Sequence, residues 1–217
     1  MRLVVFDLDG TVTFRDTLAP YVFGFLRRRR WGLLRLARVV PAAFGFLLGV
    51  TDRGALKAAL LKATLRGHTR TELEAWTSQF VAKLLRRGLR EQALEALLEH
   101  QRDGDFLVLL TAAPDLYAPV IARELGFQEC IATGVRWRDE RLDGTLSTPN
   151  RRDAEKARCL EALMTRFPGV PTTAYGNSAA DIPHLKMVEE PRLVNAGLFT
   201  RWKASRAGIV PYAQWRR

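Results

Sequence analysis

The chain has 217 residues, 47% of them hydrophobic and 26% charged, a globular balance that excludes a disordered, fibrous or repeat protein and suffices for one core plus a modest insertion. Lys and Arg number 34 against 23 acids, and the resulting +11 favours phosphate-rich partners: nucleotides, nucleic acid or anionic lipid. Two cysteines, Cys130 and Cys159, make no disulfide framework, and with no charged-then-apolar leader the expected compartment is the cytoplasm.

Arg2 to Leu8 (RLVVFDL) is a short apolar run rich in β-branched and aromatic residues and reads as a buried strand, after which Asp9-Gly10-Thr11 turns the chain. From about 17 to 102 the periodicity is helical, broken at Pro41, at 51–54, at 67–69 and at Gly88, with Asp16 expected to cap the first helix. A second strand follows at Phe106 to Leu110, then a helix over Pro114 to Leu125 whose first turn holds Asp115, and a third strand near Cys130 to Thr133. Val135 to Trp137 and Arg141 to Leu146, about an Asp143-Gly144 turn, form an antiparallel appendage. Asp153 to Arg166 is a helix, Pro171 to Tyr175 a strand, Ala179 to Val188 a helix and Arg192 to Asn195 a strand. Strands alternating with helices predict an α/β fold, a parallel sheet with helices on both faces. The helical block interrupts that alternation after the first strand, so the body is expected to comprise 1–16 and 103–217 and an inserted all-helical cap 17–102.

The basicity is local. Between Tyr21 and Arg66 ten cations face one acid, Asp52, and from Arg192 to Arg217 six cations face none. Trp31, Leu33, Leu34, Leu36, Ala37, Val39 and Val40, interrupted by Arg35 and Arg38, describe a basic amphipathic helix. The apolar run Val39 to Val50 is too short for a span of about 20 residues. Two readings stay open: a lid whose apolar face packs on the body while its arginines meet water, which is the commoner arrangement, or a peripheral membrane contact through the basic cap. The dispersed tryptophans offer no base-stacking platform, so no nucleic acid is expected. His68, His100 and His184 share no metal-ligand spacing and read as structural.

In parallel sheets ligands sit outside the carboxyl ends of the strands. Those ends carry Asp7-Leu8-Asp9-Gly10-Thr11, Thr111-Ala112 and Gly176-Asn177-Ser178-Ala179-Ala180-Asp181. Two carboxylates two residues apart can serve as nucleophile and proton donor, and Asp181 can complete an oxygen-rich site for a hard cation such as Mg²⁺.

DLDGT at Asp7 to Thr11, Thr111 after an apolar strand, Lys156 at a helix start and GNSAAD at Gly176 to Asp181 resemble the four motifs of the haloacid dehalogenase superfamily, in its order. The helical insertion after the first motif is similar to the cap of its phosphoserine phosphatase-like branch. Within that branch PNRRDAEKARCL, GNSAADIPHL and the basic apolar cap look more like the small bacterial phosphatases that include phosphatidylglycerophosphatase C. The resemblance implies a Rossmann-like body and Mg²⁺-dependent hydrolysis of a phosphorylated substrate. It assigns Asp7 as nucleophile, Asp9 as acid and base, Thr111 and Lys156 as phosphoryl contacts, and Asp7, Asp9, Asn177 and Asp181 as the metal set. Gly10, Thr11 and Ala112 would bind substrate, joined from the cap by Arg53 and Lys57, and an anionic lipid such as phosphatidylglycerophosphate is the leading substrate ahead of a soluble one such as phosphoserine. Many relatives carry Asp where this chain has Asn177, whose amide can ligate but brings no charge.

Overall fold

Leu3–Phe6 forms β1, four consecutive residues with no exposure, the pattern of a strand covered on both faces. It pairs in parallel with β2 (Phe106–Pro114) on one side and β6 (Thr172–Gly176) on the other. β3 (Glu129–Thr133), β7 (Glu190–Val194) and β8 (Pro211–Ala213) complete a six-stranded parallel sheet in the order β3-β2-β1-β6-β7-β8. The computed structural model describes residues 1–29 and 32–215; Arg30, Trp31, Arg216 and Arg217, counted above in the basic segment, the amphipathic stretch and the tail, lie outside the described residues.

Alternate residues of the central strands supply two cores. Val4, Phe6, Leu107 and Leu109 face α5 (Glu91–Arg102) and α6 (Ala118–Glu124), where Leu97 and Ile121 join them. Leu3, Val5, Val108 and Leu110 face α7 (Ala154–Arg166) and α8 (Ile182–Leu185) through Leu160, Leu163 and Leu185. The period of two along each strand thus gives one helical layer per face.

The inserted block consists of α1 (Leu18–Arg27), a 3₁₀ helix over Gly32–Val39, α2 (Val40–Leu47), α3 (Arg53–Thr64) and α4 (Arg70–Arg87), followed by α5. Asp52 caps α3 by accepting from the Ala55 N–H at 2.7 Å, and Thr69 with Glu72 forms a reciprocal capping box on α4. Asp16 accepts from the N–H groups of Leu18 and Ala19 at the start of α1, the capping role expected of it. The expected hairpin is present as β4 (Val135–Arg138) and β5 (Arg141–Leu146), and β5 packs against α3. It turns at Asp139-Glu140, whose φ are 47° and 57°, while Asp143-Gly144, expected as the turn, lies inside β5. α5, grouped above with the cap, lies on the sheet against β2, because Leu97 joins the core that contains Phe6.

The break expected at Pro41 is present: the 3₁₀ helix ends at Val39 and Pro41 occupies the first turn of α2, where its missing N–H costs nothing. Other expectations are corrected. Pro114 ends β2 instead of starting a helix, because it pairs with Thr133 of β3; α6 begins at Ala118. Asp115 therefore complements no helix dipole, and its carboxylate accepts from the Val135 N–H at 3.0 Å. The lid reading of the 31–50 stretch holds only in part: Leu36 packs on the core and Arg38 meets water, but Arg35 turns inward, donating to the Thr64 carbonyl, and Leu33 and Leu34 are exposed. β8 and α9 (Leu198–Arg206) have no counterpart in the sequence reading; a three-residue edge strand and a helix with three exposed apolar residues leave almost no periodic signal.

Candidate active site

The polypeptide leaves β1 at Phe6 with the Asp7 N–H donating to the Tyr175 carbonyl at 3.0 Å, which carries strand-like pairing one residue further and fixes Asp7 at the sheet edge. The tight turn over 8–12 depends on Gly10, whose φ of 83° disfavours any side chain and whose missing Cβ leaves room for the Asn177 amide. This turn brings Asp9 past Asp7.

Lys156, in the first turn of α7, reaches the same edge from the opposite face. Its ammonium donates to Asp7 Oδ1 and to Asp181 Oδ1, each at 2.7 Å, and all three side chains are buried. Asp181 arrives through the turn after β6. Gly176 permits the approach, since a Cβ there would sit 2.6 Å from that of Asp181. Asp181 Oδ2 also accepts from the N–H groups of Asn177 and Ser178 and from the Ser178 hydroxyl, at 3.2, 2.9 and 2.8 Å. Residues far apart in sequence thus share one ammonium, which places Asp7 and Asp181 side by side.

The electrostatics follow from that crowding. Burial pushes the Asp7 carboxyl up to about 6, with Lys156 opposing and the Asp181 charge adding to the rise. Burial acts on Asp181 in the same sense, yet Lys156 and the donors of the turn hold it well below the usual carboxylate range. Burial alone would lower Lys156, but the two carboxylates beside it hold its pKa well above the ordinary lysine value. Asp9 is pushed up to about 7 by burial and by the charges of Asp16 and Asp7, against two hydrogen bonds from Thr17. His184, fully buried, is kept neutral by burial and by the Lys156 charge, its pKa lowered to about 3.

Asp7, Asp9, Lys156 and Asp181 line a cleft of about 590 Å³ beneath the inserted helices. Gly10, Arg53, Lys57, Ala112 and Asn177, all singled out in the sequence, also line it. Thr11 and Thr111 do not: both are fully buried, the Thr11 hydroxyl donating to Asp7 Oδ2 at 3.3 Å and Thr111 Oγ1 accepting from the Ala113 N–H at 3.0 Å. Accepting from the Ala113 N–H fixes the Thr111 oxygen and leaves its hydroxyl proton free to be donated.

Lys57 projects from α3 into the cleft and donates to the Ala112 carbonyl and to Asn150 Oδ1, tying the inserted helices to the body. Burial lowers its pKa to about 8, with the carboxylates of Asp9 and Asp16 opposing the fall. Asn150, Arg151, Arg152 and Ser178 are cleft residues that the sequence reading did not assign. The first three belong to the quoted PNRRD stretch and Ser178 to the last motif; motif membership was the available signal. From the inserted helices Leu18, Phe46, Leu56 and Leu60 supply an apolar wall.

Among the described residues no group of three or more His, Cys, Asp or Glu side chains could hold a metal. The Asp7 and Asp181 carboxylates meet at Lys156, and Asp9 and Asn177 line the same cleft, so the donors available there are oxygens of the kind a hard cation accepts. Two buried carboxylates balanced by one ammonium leave net negative charge, which fits a divalent cation.

The comparisons agree with this geometry. Residues 4–186 match the haloacid dehalogenase-like hydrolase family. Protein CicA of Caulobacter vibrioides is 34% identical over 195 residues, covering 87% of this chain and 83% of its own. A protein of unknown function from Bordetella pertussis Tohama I has a similar structure, with a TM-score of 0.77, 24% identity and coverage of 99% of this chain and 98% of that one. A phosphoserine phosphatase solved as a phospho-aspartyl intermediate analogue gives 0.68 at 17% identity, covering 100% and 93%, a likeness of fold. With motifs, sheet order and matched residues in accord, the chain belongs to the haloacid dehalogenase-like hydrolases.

Proposed function

We infer that this hydrolase cleaves phosphomonoesters through an aspartyl-phosphate on Asp7, with Mg²⁺ as cofactor. The observation that carries the reading is the Lys156 ammonium bridging Asp7 and Asp181 at 2.7 Å on each side, next to a half-buried Asp9 whose pKa lies near 7. Asp7 attacks phosphorus, the bond to the leaving oxygen breaks, and Asp9 gives that oxygen its proton. Asp9, now a carboxylate, takes a proton from water as the water attacks the aspartyl-phosphate, which releases phosphate and restores Asp7. Lys156 keeps Asp7 oriented and offsets charge on the phosphoryl oxygens. Asp7, Asp181, the Asp9 carbonyl and Asn177 would hold Mg²⁺, which when bound supplies the charge that lets two anions meet.

In this reading residues 1–16 and 103–217 form the body, and the insertion 17–102 is the cap, α5 serving as its fixed base. Arg53 and Lys57 face the part of the substrate beyond its phosphate. The wall of Leu18, Phe46, Leu56 and Leu60 favours a lipid-linked phosphate such as phosphatidylglycerophosphate, brought from the cytoplasmic side by peripheral membrane contact of the cap. No helix among the described residues is long and apolar enough to cross a membrane. The soluble alternative, a phosphoserine-like substrate, draws support from the fold likeness to phosphoserine phosphatases. Hydrolysis of p-nitrophenyl phosphate that needs Mg²⁺ and is absent in Asp7→Asn tests the chemistry. Turnover of phosphatidylglycerophosphate in mixed micelles against phosphoserine tests the substrate, and equal or better phosphoserine turnover defeats the lipid assignment.

A further inference from the structure

α2 has the sequence VPAAFGFL, without a charge, and none of its residues is buried. Val40, Phe44 and Leu47, spaced i, i+4 and i+7, form one stripe, with Phe44 61% and Leu47 80% exposed. Leu48 and Val50 beyond the helix, and Leu33 and Leu34 before it, are also exposed, Leu34 at 66%. Of the fifteen large apolar side chains exposed among the described residues, seven fall in this short stretch. Such a contiguous patch is costly in water and marks a docking surface.

Directly beside it runs a groove of about 560 Å³ between the 3₁₀ helix and α3, apart from the catalytic cleft. Arg35, Arg38, Lys62 and Arg66 line it together with small residues, and no carboxylate does. Arg35 is anchored on the Thr64 carbonyl and His68, while Arg38, Lys62 and Arg66 are exposed and form no ion pair among the described residues. The 3₁₀ helix therefore sends its arginines to the groove and Leu33 and Leu34 outward.

We propose that this outer face of the inserted helices, the apolar ridge from Leu33 to Val50 with the groove of Arg35, Arg38, Lys62 and Arg66, docks on an anionic phospholipid bilayer, the groove taking a lipid phosphate. The combination selects the occupant. A second copy meeting the ridge through a two-fold contact would set the same cations against one another. Nucleic acid would satisfy the cations but leave seven large apolar groups without a partner. An anionic leaflet accepts both, phosphates at the groove and acyl boundary at the ridge. An eight-residue helix about 12 Å long cannot cross a bilayer, so it lies in the interface plane. The inference does not depend on the catalytic reading, since none of the seven apolar residues or four groove cations lines the cleft.

The test is co-sedimentation of the full chain with vesicles of phosphatidylcholine alone and of equal parts phosphatidylcholine and phosphatidylglycerol. Binding is expected to the mixed vesicles only. Leu34→Glu/Leu47→Glu should lose it at least ~10-fold, from two apolar anchors removed. Arg38→Ser/Lys62→Ser/Arg66→Ser should lose it by at least ~10-fold as well, since each cation near an anionic surface is worth about 1 kcal/mol. Hydrolysis of p-nitrophenyl phosphate by the variants reads the catalytic site separately, and the exposed positions of the second variant keep its fold intact. The proposal is overturned by no binding to mixed vesicles, by equal binding to phosphatidylcholine, or by binding that neither variant weakens. Duplex DNA bound as tightly as mixed vesicles, or a dimer that Leu34→Glu/Leu47→Glu dissociates, overturns it equally.

Discussion

Thr17 holds the Asp9 carboxylate from two sides, its N–H at 2.8 Å and its hydroxyl at 2.7 Å from the same oxygen, Oδ1. Thr17 stands at the entry to α1, and its Oγ1 also lies 3.0 Å from the hydroxyl of Tyr117, whose ring packs at a tilt of 35° against Tyr21 of α1. The residue that orients the proposed acid is thus the one where the inserted helices join the body. Thr17→Val removes the side-chain bond and leaves the backbone one. Its kcat on p-nitrophenyl phosphate should fall ~10- to 100-fold through loss of positioning, with KM changed little. A change confined to KM would place Asp9 outside the chemistry.

Lys156 neutralises two buried carboxylates that form no other ion pair among the described residues. Lys156→Met leaves Asp7 and Asp181 as adjacent like charges away from water. Denaturant unfolding should show a loss of about 3–5 kcal/mol, and hydrolysis should vanish. The loss of stability should shrink as pH falls, because Asp7 and Asp181 then take up protons and cease to repel.

Lys57 gives a pH signature separable from the carboxylates. With its pKa lowered to about 8, it is cationic below that value and neutral above it. Attraction for an anionic substrate is therefore present at lower pH and lost as pH rises through about 8. The ratio of wild-type to Lys57→Met kcat/KM should exceed one near neutrality and approach one at alkaline pH, since kcat/KM reports groups of the free enzyme. A ratio independent of pH would mean that Lys57 serves only to tie α3 to Ala112 and Asn150.

Asn177 lies against Gly10 and lines the cleft without contributing charge. Asn177→Asp adds a third carboxylate to the proposed metal set, and titration of activity with Mg²⁺ should show half-maximal rate at a lower concentration. A higher concentration would place Asn177 outside the cation's reach.

The sheet and its edge were legible because chemistry and periodicity coincide there. Leu3 to Phe6 and Phe106 to Leu110 are apolar on both faces, and the residues that end those strands are the ones the fold brings together. The place of Thr111 on the strand is readable in the sequence but its rotamer is not; in the structure its oxygen accepts from the Ala113 N–H. The 31–50 stretch was legible only in part, with Leu36 on the core and Arg38 in water as the lid reading has them. Periodicity identifies two faces of a helix but not which one meets the body, and here the Thr64 carbonyl and His68 draw Arg35 inward. Asn150 gave no signal of its own, since only the arrival of Lys57 from α3 makes it a cleft residue.

The covalent role of Asp7 is tested most directly by acid-quenching the enzyme during turnover of p-nitrophenyl phosphate with Mg²⁺ and locating any phosphoryl group by peptide mass spectrometry. The account predicts a phosphoryl group on Asp7, absent from Asp7→Asn, which should also be inactive. A phosphoryl group on another residue, or sustained hydrolysis by Asp7→Asn, would contradict it.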